Sequence, residues 1–188
     1  MHRPTVFLIG GFSRVGKDTL ADRIAAITNA RKVAFADSLK NAGNRFFTGL
    51  GIESVNLNED ADKVRHRELL VAMGRAARAV DVDIFARHAA EIARYNILAG
   101  RCVVIPDWRY LNESQVVTRI VSPAKVVTVL LYRFGAYPAN PEEEQSLGHI
   151  EKNIEAGWIR SFDTGDMKGI DDFAHELVAH HCPIVPAA

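Results

Sequence analysis

Near the N-terminus an apolar run over 5–10 (TVFLIG) passes into Gly11-Phe-Ser-Arg-Val-Gly16-Lys17-Asp18-Thr19, and then into Leu20, Ile24 and Ile27 at helical spacing. A short continuous apolar run closed by glycines predicts a strand buried on both faces, and the later spacing predicts a helix over 17–28. Joining the two through a glycine-rich turn restricts the backbone severely. The turn needs left-handed residues, which glycine tolerates. The first N–H groups of the helix also have no carbonyl behind them and point into the turn.

The G-x-x-x-x-G-K spacing between Gly11 and Lys17 is that of a phosphate-binding Walker A loop. Successive backbone N–H groups and the helix N-terminus supply positive potential, and Lys17 reaches terminal phosphates. Gly11, Arg14, Val15, Gly16, Lys17, Asp18 and Thr19 are therefore the expected nucleotide-binding residues. Asp18 stands where Ser or Thr ordinarily supplies a magnesium ligand. A carboxylate is a hard oxygen ligand, so Asp18 is expected to help place Mg2+.

Further strand-like runs cover 32–36, 101–106 and 126–132, with a short fifth over 158–163. Helical patterns lie over 38–50, over 61–98 with breaks expected near Gly74 and at 80–83, over 112–121, and from Ile170 to Val178. Residues 51–60 and 135–144 read as loops, and the tail from Pro183 as frayed. Buried strands alternating with helices predict an α/β fold with a parallel sheet covered on both sides. We expect one domain over 1–188, with a helical acceptor-binding region at about 38–98 and a lid-like loop at about 134–157.

Composition narrows the function. Hydrophobic residues make up 48% and charged residues 24% of 188, enough for a single packed core. Twenty-three Lys and Arg against 23 Asp and Glu argue against a nucleic-acid coat and against an acidic disordered chain. No apolar run has the length of a membrane span, and Met-His-Arg-Pro-Thr leads into the first strand without the pattern of a leader. Two cysteines, Cys102 and Cys182, are too few for a disulfide framework and fit a reducing cytoplasm. Neither has an evident activating neighbour in sequence.

The zero net charge hides segregation. Lys63, Arg65, Arg67, Arg75 and Arg78 face the single acid Glu68 between positions 63 and 78. Forked guanidinium groups suit a phosphate monoester. Val103-Val-Ile-Pro-Asp107 ends an apolar strand in an acid, as a Walker B strand does, and Arg109 follows. Parallel strands bring their C-terminal ends to one edge, so Asp107 is expected near the phosphate loop, either as a magnesium or arginine partner or as a turn and helix cap. Arg133 opens the loop after the fourth strand and is a candidate for the transferring group. The cluster His175, His180, His181 and Cys182 lacks paired zinc spacing and reads as a surface tail. Glu142 to Glu144 reads as a solvated loop, and Asp166-Met-Lys-Gly169 comes too late in the chain for a GTPase motif.

Taken together, the chain resembles the deoxynucleoside monophosphate kinases encoded by bacteriophages. The resemblance covers most of the chain. It rests on Gly16-Lys-Asp-Thr19, Ala36-Asp-Ser-Leu-Lys40, Arg67-Glu-Leu-Leu-Val-Ala-Met-Gly74 leading to Arg78, Ile105-Pro-Asp-Trp-Arg109, Arg133, His149 and Asp163-Thr-Gly-Asp166. The chain departs from the family where Gly74-Arg75-Ala76 replaces a frequent Gly-Thr-Asp. The resemblance implies a P-loop NTPase three-layer sandwich, nucleoside-monophosphate-kinase-like, with a five-stranded parallel sheet. It implies ATP as donor, Mg2+ held with Asp18 and Asp107, and a deoxynucleoside 5′-monophosphate as acceptor. Lys17, Asp107, Arg109 and Arg133 would be catalytic, and Gly165 would join the ATP site. Asp37, Lys40, Arg67, Arg75, Arg78 and Arg109 would bind the acceptor. The implied partners are small nucleotides, with no nucleic acid and no membrane; a homodimer is compatible. The implied place of action is the cytoplasm, that of the host cell if the chain is viral.

Residues alone leave two alternatives open. One is a kinase acting on a hydroxyl, of nucleoside or dephospho-coenzyme A type. The other is a nucleotide-binding module without catalysis.

Overall fold

The structure is a computed structural model that describes residues 4–153 and 157–182. Five strands form one parallel sheet: β1 (Thr5–Gly10), β2 (Arg31–Lys32), β3 (Val103–Trp108), β4 (Lys125–Arg133) and β5 (Trp158–Phe162). Their spatial order is β2-β3-β1-β4-β5. The most apolar run, β1, lies in the middle with all six residues buried. It pairs with β3 in the register Val6 to Val103 and with β4 in the register Ile9 to Val129.

Alternation along β1 divides the core into two layers. Val6 and Leu8 face the layer closed by α5 (Ile84–Leu98), α6 (Leu111–Val121) and α7 (Pro141–Asn153). Phe7 and Ile9 face the layer closed by α1 (Lys17–Thr28) and α8 (Met167–His181). The helices present small or branched side chains to the sheet: Ala86, Ala89, Ala90 and Ala93 from α5, and Leu177 and Val178 from α8. Each fully buried large side chain contributes roughly 1.5–3 kcal/mol. The remaining helices are α2 (Ala36–Gly49), α3 (Asp60–Arg65) and α4 (Arg67–Val80); Phe47 of α2 and Leu70 of α4 close on Leu57 in a small third cluster. The expected three-layer α/β architecture is what the chain adopts.

Several local expectations are corrected. The second strand is not 32–36 but Arg31–Lys32, because the chain turns into α2 at Ala36. The carboxylate of Asp107 accepts the N–H groups of Phe35 and Ala36 (2.9 and 3.0 Å), and that of Asp37 accepts Ala34 N–H (3.0 Å). Together they nucleate a helix where the β-branched pattern suggested a strand. The third strand runs to Trp108 rather than ending at 106.

Gly74 does not break a helix. It lies inside α4 in ordinary helical conformation, where even a Cβ would only touch the Leu39 side chain of α2 at 3.4 Å. The break falls at His66 instead, which ends α3 and precedes α4. The second expected break, at 80–83, is present between α4 and α5.

Most of the expected lid-like loop is helix. Asn140 accepts the Glu143 N–H at 2.9 Å, Pro141 opens α7, and Leu147 and Ile150 are buried in the core. The tail from Pro183 lies outside the described residues. No helix among the described residues is long and apolar enough to cross a membrane.

Candidate functional site

The loop between β1 and α1 is shaped by three left-handed residues: Gly11 (φ 133), Arg14 (φ 63) and Gly16 (φ 102). Gly11 is required sterically as well, since a Cβ there would lie 2.3 Å from the Leu131 carbonyl oxygen of β4. Gly16 is the N-cap of α1, and no side chain caps that end. The first N–H groups of α1 are thus open to an anion. Lys17 folds back over the loop, donating to the carbonyls of Gly11 (2.8 Å) and Phe12 (2.5 Å). Burial and the nearby Arg109 guanidinium bring its pKa down to about 8.

A cavity of about 280 Å³ opens beside this loop. Its walls come from the phosphate loop, Arg133 at the end of β4, and the turn between β5 and α8 that carries Asp163, Gly165 and Asp166. Gly165 turns that corner at φ 86. Arg133 has a buried Nε with no partner, an unsatisfied donor in the wall of the cavity. Asp166 serves as N-cap of α8, accepting Gly169 N–H at 2.8 Å, so the late D-x-x-G is a helix start.

On the opposite side of Lys17, β3 delivers Asp107 and Arg109. Both carboxylate oxygens of Asp107 are engaged by the start of α2, and desolvation raises its pKa against the pull of those N–H groups and of Arg109. The helix-cap alternative for this acid is therefore realised. Asp107 nevertheless lies close enough to Lys17 to favour its charged form, as does Asp18. Asp18 is 79% exposed at the rim, 3.1 Å from Lys32. Among the described residues no group of three His, Cys, Asp or Glu could hold a metal by itself.

The basic run does not converge as a unit. Lys63 is tied to Asp60 at 2.5 Å on the outside of α3. Arg67 is exposed at the start of α4, about 12 Å along the helix from Arg75. Asp37 and Lys40 pair with each other (2.8 Å) on α2, with Asp37 beside Asp107. Arg75 and Arg78, by contrast, form a built site. The guanidinium of Arg78 lies between the rings of Phe85 and Tyr110, 4.9 and 4.6 Å from their centroids. Arg75 meets Glu142 at 3.2 Å, and the Tyr110 hydroxyl donates to the same carboxylate at 2.6 Å.

The acids read as a solvated loop are thus part of the site. Glu143 is 8% exposed; its carboxylate accepts the Ser13 N–H of the phosphate loop (3.0 Å) and the Ala139 N–H (2.6 Å). Glu142 and Glu143 place one carboxylate at the arginine cluster and one at the loop. Glu113, buried on α6, is a further residue that sequence reasoning missed. It accepts the N–H groups of Arg109 and Tyr110 (2.9 and 3.0 Å) and so orients the segment carrying both side chains. Burial pushes its pKa up to about 7. A signal for Glu142 and Glu143 existed, since Asn140-Pro141 followed by three glutamates is a helix start, whereas Glu113 follows Tyr110, which is not a usual N-cap residue.

His149 is exposed on α7, away from these contacts. Of the C-terminal cluster, His175 and His180 are exposed on α8 as expected of a surface segment, whereas His181 accepts a hydrogen bond from Trp158 Nε1 at 2.8 Å and Cys182 is buried.

No protein-family model matches the sequence, and no curated protein matches it. Solved structures do resemble it. An unliganded sugar kinase from a Janibacter species superposes with a TM-score of 0.53 at 15% identity, covering 94% of each chain. A dephospho-CoA kinase from Campylobacter jejuni gives a TM-score of 0.52 at 10% identity, covering 94% of this chain and 97% of the other. The fold is that of the P-loop kinases, with a five-stranded parallel sheet between helical layers.

Proposed function

We propose that the chain is an ATP-dependent phosphotransferase that moves the γ-phosphoryl group of ATP to a deoxynucleoside 5′-monophosphate, yielding the diphosphate and ADP. The observation that carries this reading is the second anion site. Arg75 and the Tyr110 hydroxyl meet the Glu142 carboxylate and Arg78 stacks on Tyr110, apart from the residues that line the cavity. A simple nucleotide binder has no use for such a site; a kinase with a phosphorylated acceptor does.

In this mechanism the loop N–H groups and the start of α1 hold the donor phosphates. Lys17 leaves the Gly11 and Phe12 carbonyls to follow charge on the transferring group, and Arg133 contributes its guanidinium charge from the cavity wall. Arg109 lies near both Lys17 and Asp107, where its charge would meet the transferring group. The acceptor oxygen of a monophosphate is already anionic, so positioning and charge neutralisation suffice without a strong base. Asp107 accords with this, since both its oxygens are occupied in holding α2. Mg2+ bound to ATP takes most of its ligands from phosphate and water, so the exposed carboxylate of Asp18 would be its protein partner, while Asp107, with both oxygens held by α2, would act on it through charge. When bound, the ion would neutralise charge on the donor phosphates.

The decisive experiment measures ADP release from ATP and Mg2+ with each of the four deoxynucleoside monophosphates and their ribonucleotide counterparts. Turnover is expected on one or more deoxynucleotides. Turnover on nucleosides, sugars or dephospho-coenzyme A with none on monophosphates would replace this reading with a hydroxyl kinase. ATP binding without transfer to any acceptor would leave a binding module.

A pH dependence follows from Lys17. Its folded-state pKa is lowered to about 8, so the ammonium is present below that value and lost above it. ATP affinity, measured by calorimetry between pH 6.5 and 9.5, is expected to weaken about tenfold per pH unit above about 8 until bound-state ionisation is reached. A flat profile would mean that Lys17 does not sense the phosphates.

A further inference from the structure

The two cysteines meet in the core layer formed by α1 and α8, on the other side of the sheet from the arginine cluster. Cys102 immediately precedes β3, and Cys182 is the C-cap of α8. They are 80 positions apart in sequence, yet their Sγ atoms stand 3.2 Å apart and share a hydrogen bond. Both are buried, at 6% and 1% exposure. Their backbones are tied in place. Arg31 N–H bonds to the Cys102 carbonyl (2.9 Å), Cys182 N–H bonds to Val178 (2.7 Å), and the Thr5 hydroxyl holds the His181 carbonyl (3.0 Å). A disulfide needs its sulfurs at about 2.05 Å, so the remaining approach is about 1.2 Å from a distance of 3.2 Å.

We propose that Cys102 and Cys182 form a reversible intramolecular disulfide that staples the end of α8 to the start of β3. The oxidant is a small-molecule disulfide of the glutathione class. One protein thiolate attacks a sulfur of that disulfide, forming a mixed disulfide and expelling one small thiolate. The second protein thiolate then attacks the protein-bound sulfur and expels the other. One disulfide is consumed and one formed, and the two protein protons leave with the released thiols. Cys102 is the better attacking group, because the hydrogen bond from Cys182 draws its pKa down to about 6 while the partner is pushed up. Access comes through fraying of the last turn of α8, the part of a helix that opens most readily.

The staple has a structural consequence at the other end of the same helix. Asp166, Met167 and Ile170 line the cavity beside the phosphate loop, and Asp171 pairs with Arg23 of α1 at 2.7 Å. Fixing α8 therefore fixes a wall of that cavity. The bond also closes a long loop, which restricts the unfolded chain.

The test uses the full-length protein, incubated natively with oxidised glutathione and then with dithiothreitol. Expected results are an intact mass lower by two hydrogens, loss of both titratable thiols after denaturation, and a melting temperature higher by on the order of 5 °C. All three should reverse on reduction. Cys102→Ser and Cys182→Ser should each abolish the mass change and the thermal shift. The proposal is overturned if both thiols stay titratable after native oxidation. It also fails if only glutathione adducts or chain-to-chain dimers form, or if either serine variant keeps the same thermal shift.

Discussion

Lys17→Ala is expected to reduce phosphoryl transfer by about 10²–10³-fold while leaving the fold intact. Lys17 is the only lysine of the phosphate loop, and its ammonium reaches two loop carbonyls within 2.8 Å. Those carbonyls hold it poised over the place where phosphate oxygens would sit. Removing it deletes a charge that strengthens its contact as the phosphoryl group moves, so the loss should fall on kcat as well as on ATP affinity. Steady-state kinetics with the preferred acceptor, alongside a thermal melt, separate chemistry from folding. A variant that keeps more than about a tenth of the wild-type rate would remove Lys17 from the transition state.

Gly11→Ala should have the larger effect on the fold. At φ 133 a side chain is strained in any surroundings, and here the new Cβ would stand 2.3 Å from the Leu131 carbonyl oxygen. That oxygen belongs to β4, buried in the middle of the sheet, and cannot yield. We expect a loss of about 3 kcal/mol or more, seen as a fall in melting temperature on the order of 10 °C, together with loss of ATP binding. Gly16→Ala supplies the comparison. Its φ of 102 is also unfavourable, but the nearest neighbour is the tip of the Ile170 side chain at 3.2 Å, which can rotate away. If Gly11→Ala proves no more damaging than Gly16→Ala, the close approach to Leu131 is not what requires glycine there.

The fold was legible where burial alone decides structure. The four long strands and helices α1, α5, α6 and α8 follow from apolar runs and spacing, because each packs against the sheet through one continuous stripe. What remained hidden depended on partners distant in sequence. Nothing near Ala36 shows that Asp107 will cap it and convert a strand pattern into a helix. Nothing near His66 shows that the helical stretch will break there and not at Gly74.

The same distinction holds at the site. The phosphate loop is a local arrangement, so its residues could be named from spacing. The arginine cluster is an arrangement across elements, and only two members of the basic run, Arg75 and Arg78, reach it. Glu142 and Glu143 were the least legible, since an acidic stretch has the same composition on a solvated surface as over a cationic cleft.

Those two glutamates would compete with an incoming anion for the donors they hold. Glu143 already occupies the Ser13 N–H, and Glu142 already occupies Arg75 and Tyr110. An incoming phosphate that takes either position must exchange with a carboxylate rather than with water alone. Measured affinity is then the intrinsic affinity scaled by the fraction of molecules in which the carboxylate has withdrawn. Both acids start the same helix, which is anchored by Leu147 and Ile150. On the proposed reading, displacing one at the phosphate loop would loosen the other at the arginines, so that filling one site would lower the cost of filling the second.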